Sequence, residues 1–244
     1  MKLRTTLFGT IGVAAISAVP FRAAEAPSNP PVFSNPLSIT NPYHPFVPGR
    51  VKHLETQQGH TDAEATDVYL TATRTFAWNG TFVATHILEE TALENGVIVE
   101  ISENYFAQAD DGTVYYFGEV VDIYENGVVV GHGGSWLLGG PTQPGDPAET
   151  ATASNPNVFM PANPRVGDVF KPEDLVPFVD ETDVIVKAGL NVSTPGGRFT
   201  NCIQINESSQ LSPSTETKWY APGIGVIKVK EHGEVLVLDA VSGP

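Results

Sequence analysis

The sequence has little cysteine, and Cys202 is the one thiol in 244 residues. A single cysteine cannot form an internal disulfide, so the fold must be held together by its hydrophobic core. Cys202 lies in a strand-like run between Asn201 and Ile203, which favours a buried structural thiol. A catalytic cysteine would need a nearby base, and the sequence identifies none.

Positive charge is also scarce. Lys and Arg number 13 against 28 Asp and Glu, which gives a formal net charge of −15. Nucleic acids and anionic membranes are bound through basic patches, so neither is expected as a partner. Strong acidity is typical of a well-solvated exported protein, or of one that meets cations.

Long apolar runs are missing after the N-terminus. No later stretch reaches the ~18 consecutive apolar residues of a membrane span, so none is predicted. Residues 1–26 have the pattern of a secretory signal peptide: Lys2 and Arg4 precede an apolar core over residues 7–19, and Ala24-Glu25-Ala26 suits cleavage. We therefore predict a secreted or periplasmic protein whose mature chain is soluble.

Helical periodicity is absent as well, and turn signals take its place. Asn79-Gly80, Asn95-Gly96, Asp111-Gly112 and Asn126-Gly127 divide residues 68–138 at nearly even spacing. Such dipeptides between apolar alternating segments are strong hairpin signals, because they supply the residues with φ > 0 that tight turns need. The segments are rich in Val, Ile, Thr, Tyr and Phe, which predicts an antiparallel meander.

The rest of the chain suggests one domain. Residues 27–50 form a proline-rich N-terminal arm whose second half is expected to dock, and residues 51–244 form a single β domain. A long exposed loop is predicted at 139–157, followed by a second β-rich run over 183–240. The predicted fold class is all-β with little helix: a meander of about ten strands in total, curling into a barrel, half-barrel or two-sheet sandwich.

A candidate metal site follows from the predicted register of the meander. Asp110-Asp111-Gly112 suits a three-residue loop that pairs 109 with 113, and this places Glu103 opposite Glu119. His86 and His132 then share the same face. Two histidines and two carboxylates on neighbouring strands are ligands for a divalent metal such as Zn²⁺, Fe²⁺ or Mn²⁺, and the glutamates are also candidates for acid/base catalysis. A glutamate paired with Arg74 or Tyr105 is an equally good interpretation.

A second candidate site is a pocket lined by aromatic side chains. Tyr105, Tyr115, Phe117 and Trp136 share the predicted face and could contact an apolar or sugar ligand. Aromatic residues at strand spacing are more often part of the core. The sequence contains no phosphate-binding loop, dinucleotide fingerprint or cysteine-based zinc motif.

Residues 103–119 also resemble a group of secreted bacterial proteins of uncharacterised function. The similarity is carried by Glu103-Asn-Tyr-Phe-Ala-Gln, by Asp111-Gly-Thr-Val-Tyr-Tyr-Phe-Gly-Glu119, and by Trp219-Tyr-Ala-Pro-Gly-Ile-Gly225. This chain departs from the pattern at Asn104 and Ala109, where acids are expected. The resemblance implies export and a β-rich fold, and it implies no reaction.

Taken together, these features predict an exported binding or structural module for a small ligand or partner. The alternative is a metal-dependent or acid/base enzyme that uses the His/Glu cluster. A bound metal would favour the second hypothesis, and an elongated apolar cavity without convergent polar groups would favour the first.

Overall fold

The computed structural model describes residues 30–244 and the backbone of Arg22–Ala23. The predicted signal segment otherwise lies outside the described residues. The chain is all-β, as predicted, and residues 30–244 contain no helix. Accordingly, the described part of the chain offers no helix long and apolar enough to cross a membrane. The strands are β1 (Arg22–Ala23), β2 (Val51–Gln58), β3 (Ala63–Trp78), β4 (Thr81–Glu94), β5 (Val97–Gln108), β6 (Val114–Glu125), β7 (Val128–Gly131), β8 (Trp136–Leu138), β9 (Ala151–Ala153), β10 (Asn157–Met160), β11 (Asp168–Leu175), β12 (Val179–Thr194), β13 (Gly197–Ser208), β14 (Thr215–Ala221), β15 (Gly225–Glu231) and β16 (Glu234–Ser242).

The predicted hairpin turns are confirmed. Each asparagine of the three Asn-Gly turns has a positive φ, between 49° and 52°, and each following glycine has one between 74° and 76°. Trp78 pairs with Thr81, and Glu94 pairs with Val97. At the Asp-Asp-Gly loop, the amide of Ala109 donates to the carbonyl of Thr113 over 2.9 Å, so the expected three-residue loop forms.

The strands form one sheet that nearly closes into a barrel. The meander β2–β6 is followed by a second antiparallel run, β11–β16, and β16 pairs back with β2. On the other side, β10 pairs with β6 and lies beside β11. The three architectures left open by the sequence are thereby reduced to a barrel-like sheet. Within the described residues it has sixteen strands, more than the ten expected, because several short strands lie in segments without alternating apolar residues.

The register predicted across the middle of the meander is wrong. Two bulges shift it, one between Ala92 and Leu93 against β5, and one between Tyr105 and Phe106 against β6. Gly118 lies at the second bulge with φ +132°, and a Cβ there would lie 2.3 Å from the carbonyl oxygen of Trp136. Beyond each bulge, side chains of the two paired strands that were predicted to share a face lie on opposite faces instead.

The described part of the proline-rich arm, residues 30–50, docks on the sheet. Ile39 and Phe46 are buried in the barrel core, and the Phe46 ring packs 4.8 Å from that of Tyr69. Phe33 packs edge-on against Trp78 and Phe117 on the outer face of the sheet. The arm therefore covers apolar surface on both sides of the sheet.

The segment 139–157 is not the simple exposed loop that its composition predicts. It contains β9, and Asp146 receives two hydrogen bonds from the Arg74 guanidinium, at 2.8 and 2.7 Å. Both side chains of this ion pair are about 95% buried. Glycine and proline content indicated a loop correctly, but it gave no sign of this anchor.

Candidate functional site

Two members of the predicted metal site lie on opposite faces of the sheet. The Nε2 atom of His86 lies 2.9 Å from the carbonyl oxygen of Leu37, and its ring stacks on Phe46 at 4.2 Å. Glu103 accepts a hydrogen bond of 2.7 Å from the hydroxyl of Tyr105, which belongs to the core on the outer face. The alternative pairing of a glutamate with Tyr105 is therefore the one that forms.

The other two members make separate contacts. Glu119 lies opposite Asn104, and its side chain lines an internal cavity. His132 lies in the loop after β7, where its Nδ1 atom is 2.8 Å from the carboxylate of Asp122. The bulges thus separate Glu103 from Glu119, and residues 30–244 do not gather these four side chains around one point.

The four aromatic residues predicted to bind a ligand are core residues. Tyr105, Tyr115 and Phe117 pack together on the outer face of the sheet, under Phe33 of the arm. Trp136 is fully buried in the inner core against Tyr116, with ring centroids 5.1 Å apart. In the described part of the chain, none of the four lines the cavity.

The cavity itself lies inside the barrel and has a volume of about 100 Å³. Its wall combines acidic, aromatic and a few basic side chains drawn from both halves of the sheet. The acidic ones are Asp67, Glu90, Glu100, Glu119, Glu173 and Glu181. The aromatic ones are Tyr69, Phe106, Tyr116, Phe159 and Tyr220, and the lysines are Lys52 and Lys218.

A hydrogen-bond network fixes one side of the cavity wall. Asn104 donates to Glu90 over 3.1 Å and to the hydroxyl of Ser102 over 3.0 Å, and its carbonyl accepts from the hydroxyl of Tyr116. Asn104 is the position at which the resemblance predicts an acid. The amide both donates and accepts here, which a carboxylate cannot do, so the network depends on asparagine.

The neighbouring strands of the wall hold a buried ion pair, because Asp67 of β3 lies directly opposite Glu90 of β4. The ammonium of Lys52 lies 2.7 Å from the carboxylate of Asp67, and both side chains are more than 90% buried. Burial opposes the charge on Lys52, but Asp67 outweighs it and holds the lysine pKa above its ordinary value. Burial, reinforced by Lys52, lowers the pKa of neighbouring His44 to about 3, so this histidine is neutral. Its Nε2 atom is buried and has no hydrogen-bond partner.

Next to the cavity, a row of carboxylates crosses five adjacent strands, which we call the acid ladder. Each member lies directly opposite the next, from β12 to β16: Asp183, Glu207, Glu216, Glu231 and Glu234. Like charges in direct cross-strand opposition repel one another. Lys218 contacts the middle of the ladder, with Nζ 2.6 Å from Glu207 and 3.8 Å from Glu216.

Burial and mutual repulsion change how the ladder binds protons. Burial is the main cause that raises the pKa of Glu216 to about 8, and Glu207 and Glu231 add to it against the influence of Lys218. Burial, with repulsion from Glu181 and Glu207, also holds the pKa of Asp183 well above its ordinary value. The ladder therefore carries fewer negative charges at neutral pH than its composition suggests.

Sequence reasoning missed the ladder, although part of its signal was present. The predicted turn at His232-Gly233 places Glu231 opposite Glu234 without further information. The remaining rungs depend on the β12–β13, β13–β14 and β14–β15 pairings, and the first and last of these contain register shifts. An excess of acids at inward positions of the second β-rich run was the readable signal.

Comparison with protein-family models found no match, and comparison with curated proteins found none. Among solved structures, the chain is similar to a predicted lipoprotein from Parabacteroides distasonis, at 15% sequence identity and a TM-score of 0.33. The alignment covers 82% of this chain and 98% of that one. A likeness at this level supports no argument about function.

Proposed function

We propose that the protein is an exported binding module that holds a small organic cation inside its barrel. The observation that carries the proposal is the composition of the cavity wall, to which the described residues contribute six carboxylates, two lysines and five aromatic rings. Export is inferred from the signal pattern of residues 1–26, and the ligand is inferred from the wall.

Charge is the first reason for choosing a cation. Burying carboxylates is costly unless they are paired with positive charge or protonated. Lys52 is already paired with Asp67, and Lys218 is paired with Glu207. A wall rich in carboxylates creates a negative potential, which attracts a positively charged ligand more strongly than a neutral or anionic one.

The aromatic rings favour an organic ammonium group over a simple ion. Ammonium groups are attracted to the faces of aromatic rings and to carboxylates at the same time. The rings of Phe106 and Tyr116 stack with centroids 4.8 Å apart at the wall. The unpartnered Nε2 of His44 adds a polar group that a ligand could satisfy. A cavity of about 100 Å³ limits the ligand to a few non-hydrogen atoms.

The test is a binding screen on the purified mature chain. Ethanolamine, methylamine and trimethylamine would be compared with ethylene glycol and acetate by isothermal titration calorimetry and thermal melting. We expect at least one amine to bind and to raise the melting temperature, because ligands that bind only the folded state stabilise it.

Two matched variants locate the binding. Glu119→Gln removes a charge from the cavity wall and should weaken amine binding at least tenfold. Glu103→Gln removes a charge from the same hairpin on the outer face and should leave binding unchanged. Failure of all three amines to bind, or equal loss in the two variants, would refute the proposal.

A further inference from the structure

We infer that Glu181, Asp183 and Glu207 form a binding site for a hard divalent cation. The three residues lie at one end of the acid ladder, on the adjacent strands β12 and β13. The inference does not require an organic ligand in the cavity, because Asp183 is not part of the cavity wall.

The geometry of the three side chains suits one ion. Asp183 lies directly opposite Glu207, and Glu181 is two residues away on the same inward face of β12. Each residue offers a carboxylate oxygen, and these oxygens lie within 4.8 Å of one another. Metal–oxygen distances of roughly 2.1 Å for Mg²⁺ and 2.4 Å for Ca²⁺ allow oxygens on opposite sides of an ion to be about 4.2 to 4.8 Å apart.

An unsatisfied buried oxygen points independently to a ligand. The Oδ1 atom of Asp183 has no hydrogen-bond partner, and the residue is only 2% exposed. A buried carboxylate oxygen without a partner is costly, and a cation held between the strands would satisfy it.

The lysine next to the site does not replace such a cation. The ammonium of Lys218 lies 2.6 Å from Glu207 and approaches Glu216, which places it on the β14 side of the ladder. Asp183 lies on the other side of Glu207, on β12. Among the ion pairs of the described residues, Lys218 has none with Asp183.

The ligand set determines the class of metal. All three candidate ligands are carboxylates, and neither histidine nor cysteine belongs to the group. All-oxygen anionic sites suit hard cations such as Ca²⁺, Mg²⁺ and Mn²⁺, whereas Zn²⁺ and Cu²⁺ favour nitrogen and sulfur ligands. The site also differs from the His/Glu set predicted from the sequence.

The test uses the mature chain stripped with a chelator and then dialysed. Calorimetric titration with Ca²⁺, Mg²⁺, Mn²⁺ and Zn²⁺ at pH 7.5 should show about one equivalent of a hard cation bound, with a rise in melting temperature. Asp183→Asn should weaken that binding about 100-fold and remove the rise. Glu231→Gln, at a more distant rung of the same ladder, should bind within threefold of wild type.

The outcomes separate this inference from the proposed function. Wild type that binds none of the four metals at millimolar concentration, or Asp183→Asn that binds as wild type does, would overturn the site. Tightest binding of Zn²⁺ would overturn the assignment to hard cations. If Asp183→Asn does not fold, Glu181→Gln takes its place in the metal titration alone, because Glu181 also lines the cavity. Amine binding that survives in Asp183→Asn would show that the two sites are distinct.

Discussion

Replacing Glu216 by glutamine should stabilise the protein, and more strongly as the pH rises. Glu216 is 4% exposed, and one of its carboxylate oxygens has no hydrogen-bond partner. Glu207 faces it from β13, Glu231 faces it from β15, and Lys218 lies two residues along its own strand. Glutamine keeps the shape of the side chain and removes its negative charge.

The sign follows from the direction of the pKa shift. The pKa of Glu216 rises from 4.5 to about 8 on folding. The folded chain therefore keeps a proton that the unfolded chain releases, so stability is present below pH 4.5 and is lost as the pH rises towards 8. Asp183, whose pKa is also raised, contributes in the same direction.

The magnitude follows from the same shift. One pKa unit corresponds to about 1.4 kcal/mol, so holding Glu216 protonated costs about 3 kcal/mol at pH 7 and less than about 1 kcal/mol at pH 5. Glu216→Gln removes this cost. For a chain of this size, about 3 kcal/mol corresponds to a rise in melting temperature of roughly 6 to 12 °C at pH 7.

The assay is urea and thermal unfolding of wild type and variant at pH 5, 7 and 8, with chelator present so that no cation masks the repulsion. Glu125→Gln, which neutralises an exposed acid on β6, is the matched control and should change stability by less than about 0.5 kcal/mol. A Glu216→Gln variant that is no more stable than wild type at pH 8, or whose gain is equal at pH 5 and pH 8, would refute the reasoning.

Three further perturbations test the scaffold. Gly118→Ala should lower the free energy of unfolding in urea by about 2 kcal/mol or more, because Gly118 has φ +132° and the added Cβ would lie 2.3 Å from a backbone oxygen. Gly80→Ala, where no atom lies within 4 Å, should lower it by less, and an equal loss of stability would contradict the steric argument. Arg74→Met should lower the free energy of unfolding by about 3 to 5 kcal/mol and expose residues 139–147 to limited proteolysis, because it leaves buried Asp146 without its cation. Unchanged cleavage would show that the ion pair does not anchor the segment. Phe46→Ala should lower the free energy of unfolding by about 3 to 5 kcal/mol and speed hydrogen exchange in the arm, because it removes a ring packed on Tyr69 and His86. Slow exchange in the variant would mean that the arm is held by other contacts.

Much of the fold could be predicted because its turns are encoded locally. A two-residue hairpin turn requires only two residues with positive φ. Asparagine and glycine adopt positive φ readily whatever residues surround them. The hairpins around Asn79, Asn95 and Asn126 therefore form as expected, with Trp78 opposite Thr81 and Glu125 opposite Val128. The alternation of apolar residues is also a local signal, and it predicted the all-β class correctly.

The candidate site could not be predicted because its register is set by distant contacts. The bulge at Gly118 lies where the backbone of β8 approaches β6. The residues around position 118 contain no local pattern that predicts this approach. Between β12 and β13 the register shifts three times before reaching Gly197. A prediction that carries an unbroken register across such points assigns side chains to the wrong face, as it did for Glu103.

The pairing of β16 with β2 has a consequence for the order in which the chain can fold. Leu236 of β16 lies opposite Thr56 of β2, so this contact joins segments separated by most of the chain. Contacts of such long sequence separation slow folding, because the intervening loop must be closed before they form. The meander β2–β6 can assemble early, but its β2 edge remains open until the C-terminal strand arrives. A chain truncated before Glu234 would keep two unpaired edges, and we expect it to aggregate rather than fold.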